Sequence, residues 1–394
     1  MEAHETGSVG VLPIGALGVA FYYYLTEGAS CAPDRVVFLS RRTGAAGERW
    51  REGSSLAIDS GTGRRDIPLA GKLAGSLPEA AREGRLPGIV LVCTNPDQLF
   101  DVISEYAGVV EHEHREKRLL AGKARLPLLV LCANGIYYQR IRRSFIELLE
   151  ESTLLGRLPD LWPHLMPFVV GRLMRGVTIQ TAVRKGEGPT AVYRPGPPGR
   201  TLLTGGDPLA RAAAVRTLTR CGGWFEDAGK EQPTRVEFNK ALVNLSTNVF
   251  GQLAAIGPDG RLRVLTVGEI SGEAQHGRIL GLVEAVMQVG RGVGVYRADE
   301  SVQDIFHETL GLMTPAAAHV PSSLQWLEQQ LATGSLRPGL APTEKWLLQP
   351  LLHYARSLGD PKAIDYFEGI ELQLTEAIAR AIAAQAKTLT TQKG

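Results

Sequence analysis

Compact apolar runs alternate with helical patterns through the first half of the chain. Residues 9–13 (VGVLP), 35–40 (RVVFLS), 88–93 (GIVLVC) and 127–132 (PLLVLC) are nearly continuous apolar stretches of strand length. Residues 15–26 carry a helical pattern after the first of them. Strands alternating with helices predict a parallel sheet covered by helices on its faces. Strand-like segments return at 175–183, 190–193 and 200–203, the last two separated by Pro-Gly-Pro-Pro-Gly, and read as a hairpin-rich closing edge of the same sheet. From about residue 234 the hydrophobic period becomes helical. Residues 237–256 form a long apolar helix, and 278–289, 301–312, 322–333, 343–358 and 362–387 follow with glycine and proline between them. The segment 360–387 has amphipathic spacing and reads as a packing helix, with a homodimer contact as the alternative.

Composition changes this picture little. The 394 residues are too many for one ordinary core and suffice for two. Apolar residues at 44% and charged residues at 21% describe a soluble globular enzyme, and a net charge of +2 gives no reason to expect nucleic acid or an anionic membrane surface. Residues 9–25 are apolar enough to suggest a membrane span, yet three glycines and a proline fit a strand–turn–helix better. The amino terminus lacks the basic region of a signal peptide. Cys31, Cys93, Cys132 and Cys221 are scattered without CxxC spacing, so no disulfide framework is expected and the compartment is read as reducing and cytoplasmic.

The first strand runs into Pro13-Ile14-Gly15-Ala16-Leu17-Gly18, then a helix. A dinucleotide site needs a tight turn there, close backbone approach to a pyrophosphate, and a helix amino terminus aimed at it. Gly15 and Gly18 stand where the second and third glycines of that fingerprint belong; Pro13 replaces the first and removes an N–H. The second strand ends in Ser40-Arg41-Arg42-Thr43. An arginine there suits the 2′-phosphate of NADP, where NAD would prefer a carboxylate. The expected fold is an α/β N-terminal Rossmann domain over residues 1–230 and an all-α C-terminal domain over 231–394.

In the second domain Lys240, Asn244 and Asn248 recur every four residues and share one face of a mostly apolar helix. Buried amides and an ammonium need partners, supplied either by a neighbouring helix or by a polar ligand. The segment NKALVNLSTN resembles the central helix of ketopantoate reductases, which reduce 2-oxo acids with NADPH. Other pieces fall in that family's order. LCANG, with Asn134 and Gly135, is similar to its asparagine–glycine turn. RGVTIQTAV and TLLTGG resemble its closing strands. VPSSLQ is similar to its serine pair, and Thr343-Glu344 to its threonine–glutamate signature.

The resemblance implies roles for these residues. Lys240 is the catalytic proton donor to the substrate carbonyl, with Glu344 binding a substrate hydroxyl. Asn134, Asn244 and Asn248 orient substrate and lysine, and Ser323 holds the carboxylate. Gly15, Ala16, Leu17, Gly18, Arg41, Asn95, Gln98 and Asn134 contact NADP(H). A desolvated lysine can serve as general acid and stabilise a developing alkoxide, although a nearby Glu344 would oppose its pKa shift. The chain departs from the family at Pro13, at Asn95 (usually a lysine), at HVP before the serines, and in an insertion around 150–172. Those departures keep open a reductase of a different oxo acid, or a non-catalytic NADP-binding sensor or scaffold. The Glu-His-Glu-His of 111–114 reads as a solvated charged helix rather than a metal site, and Trp162 and His164 as packing residues.

Overall fold

The computed structural model describes residues 8–27, 35–40, 50, 54–61, 63–186, 190–221 and 224–393. They divide into two compact units, one formed by the chain up to residue 134 with 138–233, the other by 135–137 with 234 onward.

The first unit is built on a seven-stranded sheet. Its strands are β1 (Val9–Leu12), β2 (Val36–Phe38), β5 (Ile89–Val92), β6 (Leu128–Leu131), β7 (Leu173–Thr178), β10 (Thr201–Thr204) and β11 (Phe225–Asp227). They lie in the order β11-β10-β7-β6-β5-β1-β2. β2, β1, β5, β6 and β7 are parallel, and β10 runs antiparallel to β7. Every residue of β1, β5 and β6 is buried, which is why these strands read as unbroken apolar runs: a parallel sheet is covered on both faces. The covering helices are α1 (Ala16–Glu27), α2 (Leu77–Arg82), α3 (Leu99–Arg115), α4 (Tyr138–Leu154), α5 (Leu165–Val170) and α6 (Pro208–Arg220).

The segments 182–185 and 192–195 do not close the main sheet. They form β8 (Ala182–Lys185) and β9 (Val192–Pro195), which join β3 (Ser55–Asp59) and β4 (Arg64–Pro68) in a separate sheet of order β4-β3-β9-β8 lying against α1. Within α3, Glu113 is buried rather than solvated. It takes Nη2 of Arg118 at 2.7 Å and the Arg125 amide at 2.9 Å, and these bonds hold its carboxyl below the usual range against the cost of burial. Trp162 and His164 are exposed, while Leu158, Leu161 and Met166 bury the same insertion. Cys221 is disulfide-bonded, where the cysteine spacing predicts free thiols.

The second unit is helical. The chain runs through α7 (Pro233–Asn244), one π turn (Leu245–Val249) and α8 (Phe250–Ala255) as a continuous central helix. Then follow α9 (Val267–Ile270), α10 (Glu273–Gly292), α11 (Val302–Met313), α12 (Ser322–Thr333), α13 (Pro342–Leu358) and α14 (Pro361–Lys393). Phe238, Leu242, Leu245, Val249 and Phe250 of the central helix share one core with Leu282, Val286, Leu324, Leu348, Leu351, Phe367 and Leu374. No helix among the described residues is long and apolar enough to cross a membrane.

Candidate functional site

In the first unit, β1 has β2 on one side and β5 on the other, so the chain order reverses across β1. Open α/β sheets bind ligands at such a switch point, beyond the carboxyl ends of the strands. Three turns emerge at that edge. β1 feeds the turn Pro13–Gly18, β5 feeds Cys93-Thr94-Asn95 and a 3-10 turn (Pro96–Gln98), and β6 feeds Cys132-Ala133-Asn134. The registers Leu12↔Val92 and Val92↔Leu131 set the three side by side.

The two glycines of the first turn differ in their surroundings. A Cβ on Gly18 would lie 2.4 Å from the Pro13 carbonyl oxygen, so this glycine lets α1 approach the turn. A Cβ on Gly15 would meet no atom within 4 Å, and residues 13–17 are half-buried. Gly15 therefore leaves open space in front of the backbone, the room a pyrophosphate needs. Asn95 and Asn134 are exposed and Gln98 is half-buried. Thr94, which sequence reasoning passed over, is 2% exposed, and its hydroxyl has no hydrogen-bond partner. Thr94 stands at the end of β5, the strand paired with the one that carries the glycine turn. Arg41 lies outside the described residues.

The second unit gathers the rest. Along the central helix stand Lys240, Asn244 and Asn248. An α-helix drifts by about 40° over four residues, so a stripe spaced by four slowly leaves its face. The π turn over Leu245–Val249 winds more slowly per residue and turns Asn248 back toward the face of Lys240. Lys240 is half-buried as a residue, and desolvation of its ammonium lowers its pKa to about 8. Desolvation is the cause of that shift, and the opposing effect foreseen for Glu344 does not reverse it. Asn244 is buried. Asn248 accepts a bond from the Ser323 hydroxyl at 3.1 Å through its Oδ1, which joins the start of α12 to the central helix.

Glu344, in the first turn of α13, is 2% exposed, and burial raises its pKa. One of its oxygens accepts from Gln252 Nε2 at 3.4 Å; the other has no partner. The two pairs, Ser323–Asn248 and Gln252–Glu344, both run to the helix that carries Lys240. Gln252 continues the four-residue spacing and was legible by extending it one step; for Thr94 no sequence signal exists. Gly135 follows Asn134 with φ +135°, and Ile136 donates its amide to the Trp346 carbonyl at 3.0 Å. A left-handed residue with Trp346 about 3 Å from any Cβ requires glycine. Chemically, this unit offers a proton donor that is partly neutral near pH 8, amides and a hydroxyl to orient a polar ligand, and a buried carboxyl with one free oxygen.

No protein-family model matches the chain, and no curated protein matches it in sequence. Solved structures do match. A D-mandelate dehydrogenase held with NADH and anilino(oxo)acetate superposes with a TM-score of 0.63 at 13% identity, over 96% of this chain and 99% of the other. The 2-dehydropantoate 2-reductase of Geobacter metallireducens GS-15 gives 0.56 at 17% identity, over 94% and 99%. A dimeric ketopantoate reductase from Staphylococcus aureus gives 0.55 at 12%, over 94% and 99%. At these identities the likeness establishes the fold, and the chain has the fold of the ketopantoate reductases.

Proposed function

We propose that the protein is an NADPH-dependent reductase of 2-oxo acids, with ketopantoate as the first substrate to test. The observation that carries this reading is Lys240: an ammonium desolvated to a pKa of about 8, on a helix face shared with Asn244 and Asn248. A structural lysine gains nothing from such a place, because burying its charge costs free energy. A general acid gains a proton held near the operating pH. The bound nicotinamide cofactor would supply the hydride.

The chain's own residues do the remainder. Lys240 Nζ gives its proton to the substrate carbonyl oxygen and stabilises the charge that develops there. Asn244 and Asn248 orient carbonyl and lysine, Ser323 holds the carboxylate, and Glu344 accepts a substrate hydroxyl. Gly15, Ala16, Leu17 and Gly18 cradle the pyrophosphate; Asn95, Gln98 and Asn134 line the strand ends next to it, and Arg41 selects the 2′-phosphate. Replacing Arg41 by Ala should weaken NADPH binding at least tenfold while changing NADH binding little, measured by fluorescence titration; equal losses would remove the 2′-phosphate assignment. A homodimer is the assembly to look for, as in the Staphylococcus aureus neighbour.

A second reading, a reductase of a different oxo acid, is favoured by Asn95 and by the D-mandelate dehydrogenase held with anilino(oxo)acetate. Loss of a cation at residue 95 would weaken an anionic ligand group and alter the pocket's preference. The deciding experiment is NADPH oxidation by the purified protein with ketopantoate and a panel of aliphatic and aryl 2-oxo acids. Turnover with ketopantoate well above the others supports the first reading, and turnover confined to another acid supports the second. NADPH binding with no turnover on any acid would overturn both.

A further inference from the structure

The stripe of polar residues on the central helix has a fourth member. Gln252 stands four residues beyond Asn248, inside α8, and is 1% exposed. An amide so buried is costly unless it is bonded, and Gln252 spends its Nε2 on Oε1 of Glu344 at 3.4 Å. Glu344 is 2% exposed and leaves Oε2 without a partner. A carboxyl group rotates freely about its last bond until one oxygen is tied. With Oε1 tied to Gln252, Oε2 becomes the oxygen left free for a ligand.

We propose that Gln252 is the positioning residue of Glu344: its amide fixes the carboxyl so that Oε2 alone meets a substrate hydroxyl. The inference rests on the proposed function, in which Glu344 faces that hydroxyl. It adds how the site discriminates between oxo acids. A buried oxygen without a partner is costly, and a hydroxyl-bearing ligand recovers that cost where a hydrocarbon ligand does not. Without Gln252 only the residue's own backbone amide would hold the carboxyl, and that discrimination would weaken before the chemistry at Lys240 is touched.

The test uses the full-length protein and two probes, ketopantoate and 3,3-dimethyl-2-oxobutanoate, the same carbon frame without the hydroxyl. Gln252→Met keeps the shape and removes the donor. It should raise KM for ketopantoate about tenfold, the scale of one buried hydrogen bond, with kcat within threefold. KM for the deoxy acid should change less than twofold. A second readout needs no turnover. The infrared carboxyl band that disappears in Glu344→Gln should shift in Gln252→Met, because its hydrogen bond is gone. Gln252→Asn, with the amide one methylene short, should lie between wild type and Gln252→Met in both measurements, and it replaces Gln252→Met if that variant does not fold. An unmoved band, or equal losses on both acids, overturns the proposal. A shifted band in an enzyme whose wild type treats the two acids alike would show that Gln252 holds the carboxyl while Glu344 meets no substrate hydroxyl, and it overturns the proposal together with that reading of Glu344.

Discussion

Lys240 concentrates the conflict between stability and chemistry in one side chain. Its folded pKa of about 8 lies below the roughly 10.4 of an unfolded lysine. Between those two values the unfolded chain holds a proton that the folded chain lacks, so stability rises with pH across that window. Below pH 8 the full cost of burying the charge is present, at most about 3 kcal/mol. Lys240→Met should therefore raise the melting temperature at pH 7 while lowering turnover by about 10²- to 10⁴-fold, the range expected for a lost general acid. The pH profile carries the same sign: kcat/KM for reduction should be flat below pH 8 and fall about tenfold per unit above it, as the acid loses its proton. A Lys240→Met variant that melts lower and still turns over would show the lysine to be a structural residue.

At the scale of the element, the turn from β1 into α1 separates two roles that glycine can play. Gly18 has no room for a Cβ because the Pro13 carbonyl lies 2.4 Å from where it would sit, so Gly18→Ala should push α1 off the sheet and lower the melting temperature by several degrees. Gly15 has no atom within 4 Å of its Cβ position, so Gly15→Ala should leave the melting temperature within about one degree and weaken NADPH binding tenfold or more. Comparable losses of stability in both would place Gly15 in packing rather than at a phosphate. Such elements were legible where burial leaves a signature. β1, β5 and β6 are covered on both faces and read as unbroken apolar runs, and the long helices of the second unit show their 3.6 period. β4 was not legible because its five residues, RRDIP, are exposed or half-buried and carry no alternation. Nor could the pairing of β9 with β3 be read, since strand composition does not name a distant partner. The buried Glu113 was missed because Arg118, which satisfies it, looks in sequence like one more member of a charged run.

For the whole molecule, the candidate site was legible as two separate sets of residues, and the chain assigns each set to its own unit. Gly15, Gly18, Thr94, Asn95 and Asn134 belong to the α/β unit, and Lys240, Asn244, Asn248, Gln252, Ser323 and Glu344 to the helical one. The order of short motifs along the chain carried that division, because each motif is local; Thr94 and the π turn stayed hidden because they exist only once the backbone is folded. The division makes a prediction about where each ligand acts. A ligand at a hundred times its Kd stabilises the state that binds it by about 2.7 kcal/mol, which slows amide exchange through opening of that region about a hundredfold. NADPH alone should therefore protect the amides of residues 9–19 and of the strand ends at 92–95, with little change along 240–252. Adding a 2-oxo acid to the protein with NADP⁺, a pair that cannot turn over, should extend protection to 240–252 and to the first turns of α12 and α13. Hydrogen–deuterium exchange with peptide resolution measures this directly. If NADPH protected 240–252 and left 9–19 unchanged, the nucleotide assignment to the β1–α1 turn would fall. If the oxo acid protected neither 240–252 nor the start of α13, the Lys240 face would lose its claim to the substrate, whatever the fold it belongs to.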